Sequence, residues 1–354
     1  MRICLKALLR RHSFILIFLA LLLGFVLLSS DDAQDIHRLD GYTMGTSYQI
    51  QIVDMPAELS SDQVITDVSA LLGQLDTEIF STYARDSELS RFNRHPVNTP
   101  FAASTRMVDV LLLAQAISEQ SDGAFDITVG PLVNLWGFGP LIQTADSVPE
   151  QTLIDIALDS VGHRYLLIDE AKSEITKTKD IYVDLSGIAK GYAVDQLAEY
   201  FDESGVENYF LEIGGELKIK GYKPGNVSWV PAVETPLDIA SQVYEVFFSR
   251  GEKIAVAGSG DYRNYFEENG VRYSHEIDPR NGRPVTHKLA AAYVIDESAA
   301  RADALATAYM ILGLDAAKRL AEEQGQAAYF IYKLDDSSFH DYATDGFSVY
   351  LKAN

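Results

Sequence analysis

Cysteine is nearly absent from this chain, since Cys4 is the only one in the sequence. A disulfide within the chain and a cysteine-rich zinc site are therefore both excluded. Basic residues are also few, with 29 lysines and arginines against 51 aspartates and glutamates, and the formal net charge is −22. A nucleic-acid backbone would be repelled over most of such a surface, which argues against a nucleic-acid-binding protein. A ligand that carries phosphate would need a local positive device, such as a metal ion or backbone amides.

Several common nucleotide-binding and hydrolase motifs are missing. Residues 187–191 contain a lysine but lack the spacing of a phosphate-binding P-loop. No Gly-x-Gly-x-x-Gly follows a predicted strand, so a Rossmann dinucleotide site is unsupported. The His-Glu-x-x-His motif of zinc peptidases and the Gly-x-Ser-x-Gly motif of serine hydrolases do not occur either. The chemistry of the chain must be sought outside these classes.

A long apolar run lies near the N-terminus, at residues 14–28. The basic residues Arg2, Lys6, Arg10 and Arg11 precede it, and this order keeps the start cytoplasmic and sends the following chain across the membrane. The run of about 15 residues is short for a spanning helix of about 20, and no Ala-x-Ala cleavage site follows closely. We predict an anchor at 1–30, a polar tether at 31–40 and a folded domain at 41–354. A cleaved signal peptide is the alternative to the anchor.

The remaining sequence mixes helical and strand patterns without a strict alternation of the two. Strands are predicted at 42–53, opened by Met44-Gly45-Thr46, and at 208–220, interrupted by Gly214-Gly215. Further strands are predicted at 243–248 and 253–257, and as a pair within 327–351 with an Asp-Gly turn near Gly346. Helices are predicted at 61–79 with Ser61 as the cap, at 107–118 and at 299–312, and a strand–turn–helix unit at 181–200. This mixture predicts an α+β fold of mixed sheets with packed helices.

The predicted helix at 299–312 contains an aspartate within an apolar stretch. Its stretch 302–310 is apolar nearly all round, which indicates burial, yet Asp303 and Thr307 are four residues apart and share one face. A buried carboxylate needs a counter-charge or several hydrogen bonds. Mg²⁺ held by one carboxylate, a hydroxyl and substrate phosphates would supply the charge. The alternative is an aspartate that caps a neighbouring loop, with Thr307 bonded to its own helix.

Two further clusters have both a structural and a functional interpretation. Asp184 is predicted to end a strand, and Ser186-Gly187 to begin a helix whose free amides favour anions; the same pattern is also an ordinary helix cap. His275 follows a glycine-containing segment at 258–262 and could act as a general base near neutral pH, although a lone histidine is often structural. Aromatic residues in the segments 81–83, 123–126 and 135–139 could stack on a flat heterocycle or pack in the core.

Taken in order, these segments resemble the ApbE family, the FAD:protein FMN transferases. The resemblance spans nearly the whole chain after residue 40, and eight segments in sequence order are far more specific than any one motif. The matching segments are 44–46, 81–83 with 87–93, 123–126 with 131–140, 184–195, 212–216, 259–262, 274–282 and 302–307.

The resemblance implies an ApbE-like, T-fold-like catalytic domain with a flavin site and a magnesium site. In the family, the metal lies between an Asp-x-x-x-Thr helix and a backbone carbonyl of the strand-to-helix segment. The implied magnesium ligands are Asp303, Thr307 and the carbonyl of Gly187, and His275 matches the catalytic base. The implied contacts to FAD are Met44, Tyr83, Ala124, Phe125, Asp126, Asp184, Lys190 and Ile277.

The activity implied by the resemblance is Mg²⁺-dependent transfer of the FMN half of FAD to a threonine hydroxyl of an acceptor protein, with release of AMP. The family's acceptors include subunits of sodium-pumping NADH:quinone reductase and Rnf-type complexes, and an enzyme anchored in the inner membrane and facing the periplasm suits them. No cysteine follows the apolar run to accept a lipid. Two alternatives stay open: a pyrophosphatase that converts FAD to FMN and AMP, and a periplasmic FAD-binding protein without turnover.

Overall fold

The structure is a computed structural model that describes residues 36–139, 148–237, 242–261, 265–268, 270–334 and 338–353. The predicted anchor at 1–30 lies outside these residues, as does the first half of the predicted tether. Within the described ranges, no helix is both long and apolar enough to span a bilayer.

The strands in chain order are β1 (Ile36–Thr43), β2 (Thr46–Val53), β3 (Phe101–Ala102), β4 (Leu166–Asp169), β5 (Glu174–Lys177), β6 (Asn208–Ile213), β7 (Glu216–Lys223), β8 (Val227–Ser228), β9 (Ala232–Glu234), β10 (Val243–Val246), β11 (Gly251–Gly260), β12 (Tyr265–Glu268), β13 (Val271–Ser274), β14 (Ile277–Asp278), β15 (Arg283–Pro284), β16 (Leu289–Asp296), β17 (Ala327–Lys333) and β18 (Phe339–Ala343). The α-helices are α1 (Ser61–Gly73), α2 (Glu88–Asn93), α3 (Thr105–Gln120), α4 (Gly130–Leu135), α5 (Gln151–Asp159), α6 (Ala189–Glu203), α7 (Ala299–Leu312), α8 (Leu314–Glu323) and α9 (Asp345–Ser348). A π-helical segment (Gln74–Phe80) continues α1, and short 3₁₀ turns occupy His163–Tyr165 and Glu170–Lys172.

One large sheet organises the fold. Its strands lie in the order β1-β2-β6-β7-β11-β16-β17-β18, with β8 also paired to β7, and each neighbouring pair is antiparallel. A small sheet, β3-β5-β4, and three two-stranded sheets, β9-β10, β12-β13 and β14-β15, accompany it. Helices and antiparallel sheets are thus combined without parallel crossovers in the main sheet. The predicted α+β class is confirmed.

The two faces of the main sheet pack against different layers. Side chains of β6 alternate, so that Leu211 points into the large core under α6 and α7 while Phe210 packs into a second core on the opposite face. The second core contains Trp229, Phe247 and Phe347. Helix α7 is buried on nearly all sides because it lies between the sheet, α6 and α3. Its polar Asp303 is therefore held inside the protein, at 5% exposure.

The strand predicted at 42–53 is a hairpin in the structure. Strands β1 and β2 pair along their whole length, from Ile36 opposite Val53 to Thr43 opposite Thr46, and Met44 and Gly45 form a two-residue turn. Both turn residues have positive φ, 48° and 75°, as such turns require. The predicted tether at 31–40 therefore extends too far, because residues 36–40 belong to an edge strand whose backbone is satisfied by β2.

Three other local predictions were wrong in detail. No strand forms at 181–184, because the side-chain amide of Asn93 takes the place of a partner strand, accepting from the N–H of Val183 and donating to its C=O, each at 2.8 Å. The cap of α1 is Ser60, whose hydroxyl accepts from the N–H of Gln63, and α1 gives way to the π-helical segment after Gly73. The Asp-Gly pair near Gly346 lies in α9, after β18, and does not connect β17 to β18.

Candidate active site

The predicted site residues lie around one cavity of about 350 Å³, which we call the main cavity. It opens where the loop after α3, the segment before α6, the β13–β14 connection and α7 meet. All of the predicted residues except Met44 line it: Tyr83, Ala124, Phe125, Asp126, Asp184, Gly187, Lys190, His275, Ile277, Asp303 and Thr307.

Met44 lines an adjoining cavity of about 550 Å³, which we call the side cavity. The two cavities share residues at their border, including Tyr83, Asp184 and Lys190. The ring of Tyr83 is 79% exposed, so one flat aromatic face is available to a ligand that extends from one cavity to the other. The Met44 turn is held in place by Asp76, which accepts from the Met44 N–H at 2.8 Å.

A buried ionic cluster forms one wall of the main cavity. The ammonium of Lys190 donates to Glu216 Oε1 at 2.7 Å and lies 3.9 Å from Asp303 Oδ2. Burial alone lowers the pKa of Lys190, but the neighbouring Asp303 and Glu216 outweigh it and raise that pKa. Burial has the opposite effect on the two acids: it raises the pKa of Glu216 and of Asp303, and the charge of Lys190 acts against both shifts. Lys190 is therefore held as the cation between two carboxylates.

The glycine at position 191 explains how α6 delivers Lys190 to Asp303. A side chain at Gly191 would place its Cβ 2.3 Å from the Ala299 carbonyl oxygen, so α6 and the start of α7 approach more closely than any other residue allows. This contact brings the Gly191 N–H to Asp303 Oδ2 at 3.2 Å. Gly214 has a related role: it packs against the Lys190 side chain in the β6–β7 turn, at a φ of 60°.

The same wall fits a divalent cation. Two acidic side chains share one ammonium there, burial raises the pKa of both, and Glu216 Oε2 is buried with no hydrogen-bond partner, so a second positive charge would stabilise the ionised cluster. A Cβ on Gly187 would lie 3.5 Å from Thr307 Oγ1, and Asp303 lines the same cavity, so the three residues predicted to hold magnesium share the main cavity. The described residues contain no group of three or more His, Cys, Asp or Glu side chains that could hold a metal. A site made of one carboxylate, one hydroxyl and one carbonyl is of a different kind and suits Mg²⁺.

His275 lies on another wall of the main cavity. Its Nε2 is 3.6 Å from Glu276 Oε1, and the edge of its ring faces Phe138 with the ring centres 6.3 Å apart. Glu276 is buried and accepts from the Ser259 hydroxyl at 2.8 Å, which fixes its carboxylate. His275 therefore stands beside a fixed carboxylate on the wall of the main cavity.

Comparison with known proteins identifies the protein family of the chain that forms this cavity. The ApbE family model matches residues 44–331. The chain belongs to the ApbE family. It is 42% identical over 319 residues to the FAD:protein FMN transferase of Vibrio cholerae serotype O1 (strain ATCC 39541), covering 90% of this chain and 93% of that protein. It is 37% identical over 325 residues to that of Escherichia coli K12, covering 90% of each.

Solved structures of ApbE proteins share the fold. The flavin transferase ApbE of Vibrio cholerae superposes with a TM-score of 0.82 at 39% identity, covering 90% of this chain and all of that one. The apo flavinyl transferase ApbE of Pseudomonas stutzeri gives 0.81 at 38% identity, covering 91% and 98%. The resemblance to the ApbE family seen in the motif segments is confirmed.

Both aspartates predicted to contact FAD, Asp126 and Asp184, accept hydrogen bonds from other residues of this ApbE protein. Asp126 Oδ1 accepts from the N–H and hydroxyl of Thr128, and its Oδ2 accepts from the His163 N–H at 2.8 Å. Asp184 Oδ1 accepts from the N–H and hydroxyl of Ser186, in the turn that precedes α6. Both carboxylates shape loops that line the main cavity. Their contact with FAD stays a prediction.

Four residues that the sequence reasoning did not select also belong to this ApbE site. Glu216 and Glu276 supply its other buried carboxylates, while Ser259 and Asp76 position neighbours. Glu216, Ser259 and Glu276 all stand within segments that match the family, so the signal was present there. Glu276 follows His275 directly, and a carboxylate next to a candidate base is a second usable signal. Asp76 lies in a helical stretch that contains neither of these two sequence signals.

Proposed function

We propose that this protein transfers the FMN half of FAD to a hydroxyl group of an acceptor protein. The observation that carries the proposal is the main cavity itself, which combines a buried cationic and acidic cluster with a histidine beside a fixed carboxylate. This cavity is built from the segments that place the chain in the ApbE family, and the relatives it matches over most of their length are FAD:protein FMN transferases. FAD is accordingly the proposed substrate.

The two cavities suit the elongated shape of a dinucleotide. FAD has two flat ring systems joined through a pyrophosphate, and the main and side cavities meet at Tyr83, Asp184 and Lys190. We assign the pyrophosphate to this border, where Lys190 provides a positive charge in a chain of net charge −22. The exposed ring of Tyr83 stacks on one of the flat systems. The apolar Phe125 and Ile277 shield the bound ligand from water.

The proposed metal is Mg²⁺, held by Asp303, Thr307 and the carbonyl of Gly187. When bound, it supplies positive charge that neutralises the pyrophosphate and stabilises the charge that develops on the leaving group. Lys190 has a second task in this arrangement. Its ammonium offsets part of the negative charge of the two acidic side chains of the wall, whether or not the pyrophosphate is present.

His275 is the proposed general base. It takes the proton from a threonine hydroxyl of the acceptor as the threonine oxygen forms a bond to the phosphorus of the FMN half. The bond from that phosphorus to the bridging oxygen breaks, and AMP leaves with the electron pair. FMN is then joined to threonine through a phosphoester. Glu276, 3.6 Å from His275 Nε2, stabilises the imidazolium formed in this step.

The proposed setting is the periplasmic face of the inner membrane, with the N-terminal segment as the anchor. The basic residues before the apolar run support this orientation. The proposed acceptors are flavoprotein subunits of membrane redox complexes, of the sodium-pumping NADH:quinone reductase and Rnf types. An anchored enzyme that faces the periplasm suits acceptors of this kind.

The deciding experiment is to incubate the full chain with FAD, Mg²⁺ and a threonine-containing acceptor domain, and to weigh the acceptor by mass spectrometry. We expect the acceptor to gain the mass of one FMN less one water, with release of AMP, and we expect both to be lost when EDTA is present. The matched control is the acceptor with its threonine changed to valine, which keeps the shape and removes the hydroxyl. An unmodified acceptor beside free FMN and AMP would show a pyrophosphatase, and intact FAD would show a binding protein.

A further inference from the structure

A second pocket, which we call the cationic pocket, is lined in part by Ser274, the residue before the proposed base. It has a volume of about 200 Å³, and the side chains that matter here are Asp261, Arg272, Ser274, His287, Lys288 and Lys333. Ser274 lines the cationic pocket, whereas the next two residues, His275 and Glu276, line the main cavity. Consecutive residues of one segment, 274–276, therefore line the two pockets.

The charge of this pocket is opposite to that of the protein. Three cationic side chains, Arg272, Lys288 and Lys333, line it with Asp261 as the single carboxylate among its described lining residues. Burial raises the pKa of Asp261, and the charges of Arg272, Lys333 and His287 act against that rise, so these groups lie within electrostatic reach of one another. A net positive pocket of this kind in a chain of net charge −22 attracts anions.

Arg272 holds an unused donor in this pocket. Its Nη2 donates to the Asp261 carbonyl at 2.7 Å, and its guanidinium lies over the Tyr265 ring at 3.8 Å, so the side chain is fixed from two directions. Its Nε is buried and has no hydrogen-bond partner. A buried N–H of an always-charged group that lacks an acceptor is costly, and a bound oxygen atom removes that cost.

His287 presents a second unsatisfied atom. Its Nε2 lies 2.7 Å from the Met310 carbonyl oxygen, which can only accept, so Nε2 carries the proton. Its Nδ1 is buried and has no partner. A neutral His287 offers a lone pair there to the hydroxyl of a hydrogenphosphate ion, and a protonated His287 offers an N–H to a carboxylate. Met310 lies in the last turn of α7, the helix that also carries Asp303 and Thr307.

We infer that the cationic pocket binds one oxyanion, a carboxylate or a phosphate group. The donors of Arg272, the two lysine ammoniums and the small volume suit a single group of this class. Two sources carry this chemistry. One is an acidic side chain of the acceptor protein, which would reach the pocket while the acceptor threonine faces His275; this source rests on the proposed function. The other is a free phosphate ion.

The first experiment tests the pocket without turnover. The full chain is saturated with FAD, in the absence of Mg²⁺, so that the main cavity is filled, and its thermal unfolding midpoint is measured against inorganic phosphate, with sodium chloride at equal ionic strength as the reference. We expect a saturable rise in the midpoint with phosphate for the natural protein and for Lys352→Gln, an exposed lysine elsewhere that serves as the charge-matched control. Lys333→Gln and Arg272→Gln should each lower the phosphate affinity by about tenfold, the effect of one lost charged contact. An equal phosphate response in all four proteins would overturn the inference.

The second experiment distinguishes the two sources. The KM for the acceptor is compared between Lys333→Gln and Lys352→Gln in the transfer assay. An acceptor carboxylate in the pocket predicts a severalfold higher acceptor KM for Lys333→Gln, with phosphate competing against the acceptor in the natural protein. An unchanged KM and no competition would reject the acceptor source and support the free ion. Absence of FMN transfer by the natural protein would refute the proposed function alone, because the phosphate titration decides the pocket independently.

Discussion

Changing Asp303 to asparagine separates the structural role of this carboxylate from its proposed role as a metal ligand. Asparagine has the same shape, and its Oδ1 can still accept from the Gly191 N–H, now at 3.2 Å. Lys190 keeps its 2.7 Å bond to Glu216. Without metal, one neutral hydrogen bond replaces a charged one and an unbalanced negative charge disappears from the wall. These effects oppose each other, so we expect stability in EDTA to change by about 1 kcal/mol or less.

The metal contribution should be larger than this structural change. A ligand present at about 100 times its dissociation constant stabilises the native state by roughly 2.7 kcal/mol. For a domain of this size, that corresponds to a rise of about 5 °C in the unfolding midpoint. Asp303→Asn removes the one charged protein ligand of the proposed set, so this rise should fall to near zero, together with all Mg²⁺-dependent turnover.

The assay is thermal unfolding of the full chain with FAD, in Mg²⁺ or in EDTA, for the natural protein and Asp303→Asn. Asp155→Asn is the matched control, because Asp155 is an exposed aspartate on α5, away from the cavity-lining residues. We expect the control to keep the full Mg²⁺ response. If Asp303→Asn is folded in EDTA and still gains the natural 5 °C or so from Mg²⁺, the assignment of Asp303 as a metal ligand is refuted.

Three shorter predictions test other parts of the structure. His275→Ala should bind FAD as the natural protein does and lose transfer by about 10²–10⁴-fold, measured by equilibrium dialysis and by acceptor mass; unchanged transfer would remove His275 from the role of base. Gly191→Ala should cost about 1–3 kcal/mol in chemical denaturation, because the new Cβ meets the Ala299 carbonyl at 2.3 Å, and an unchanged midpoint would show that the helices separate freely. Asp202 links the end of α6 to two lysines of the main sheet; burial acts to raise its pKa, but the hydrogen bonds and charges of those lysines outweigh it and lower the pKa. The contribution of the Asp202 carboxylate to folding stability is therefore present above the ordinary pKa of 3.8 and is lost as the pH falls below it. Asp202→Asn should be less stable than the natural protein by about 1 kcal/mol at pH 7 and nearly equal to it near pH 2. Denaturant titrations at both pH values measure this difference.

Helix α7 shows where sequence reasoning works well. Its predicted bounds, 299–312, agree with the structure, because its apolar residues surround the whole axis and Ser298 precedes it as a cap. The unusual Asp303 within that apolar surface pointed to a buried charge that needs compensation. The structure supplies part of that compensation through Lys190, a residue far away in the sequence, which no local pattern could pair with it.

The failed predictions at 181–184 and at 36–40 share a cause, which is a partner distant in the fold or outside the predicted element that satisfies the backbone. Residues 181–184 have the composition of a strand, yet the side chain of Asn93 satisfies Val183 in place of a neighbouring strand. The sequence of β1 resembles that of a tether because many of its residues are polar; they are polar because β1 is an exposed edge strand. The role of Glu216 was also missed. The sequence predicts that a glutamate after two glycines is an exposed turn residue, whereas Glu216 is buried in the structure.

The cationic pocket and the ionic wall together explain how a strongly acidic protein can hold anions on both sides of one histidine. Two of their positive groups are fixed by neighbours: Lys190 by Glu216, and Arg272 by the Asp261 carbonyl and Tyr265. A cation that is already fixed loses little side-chain entropy when an anion binds, so a small number of cations is sufficient. The acidic remainder of the surface then repels polyanions while the two pockets admit single anionic groups. On this reasoning, selectivity for a small anionic substrate and an acidic docking group follows from where the few basic residues lie, and their total number matters much less.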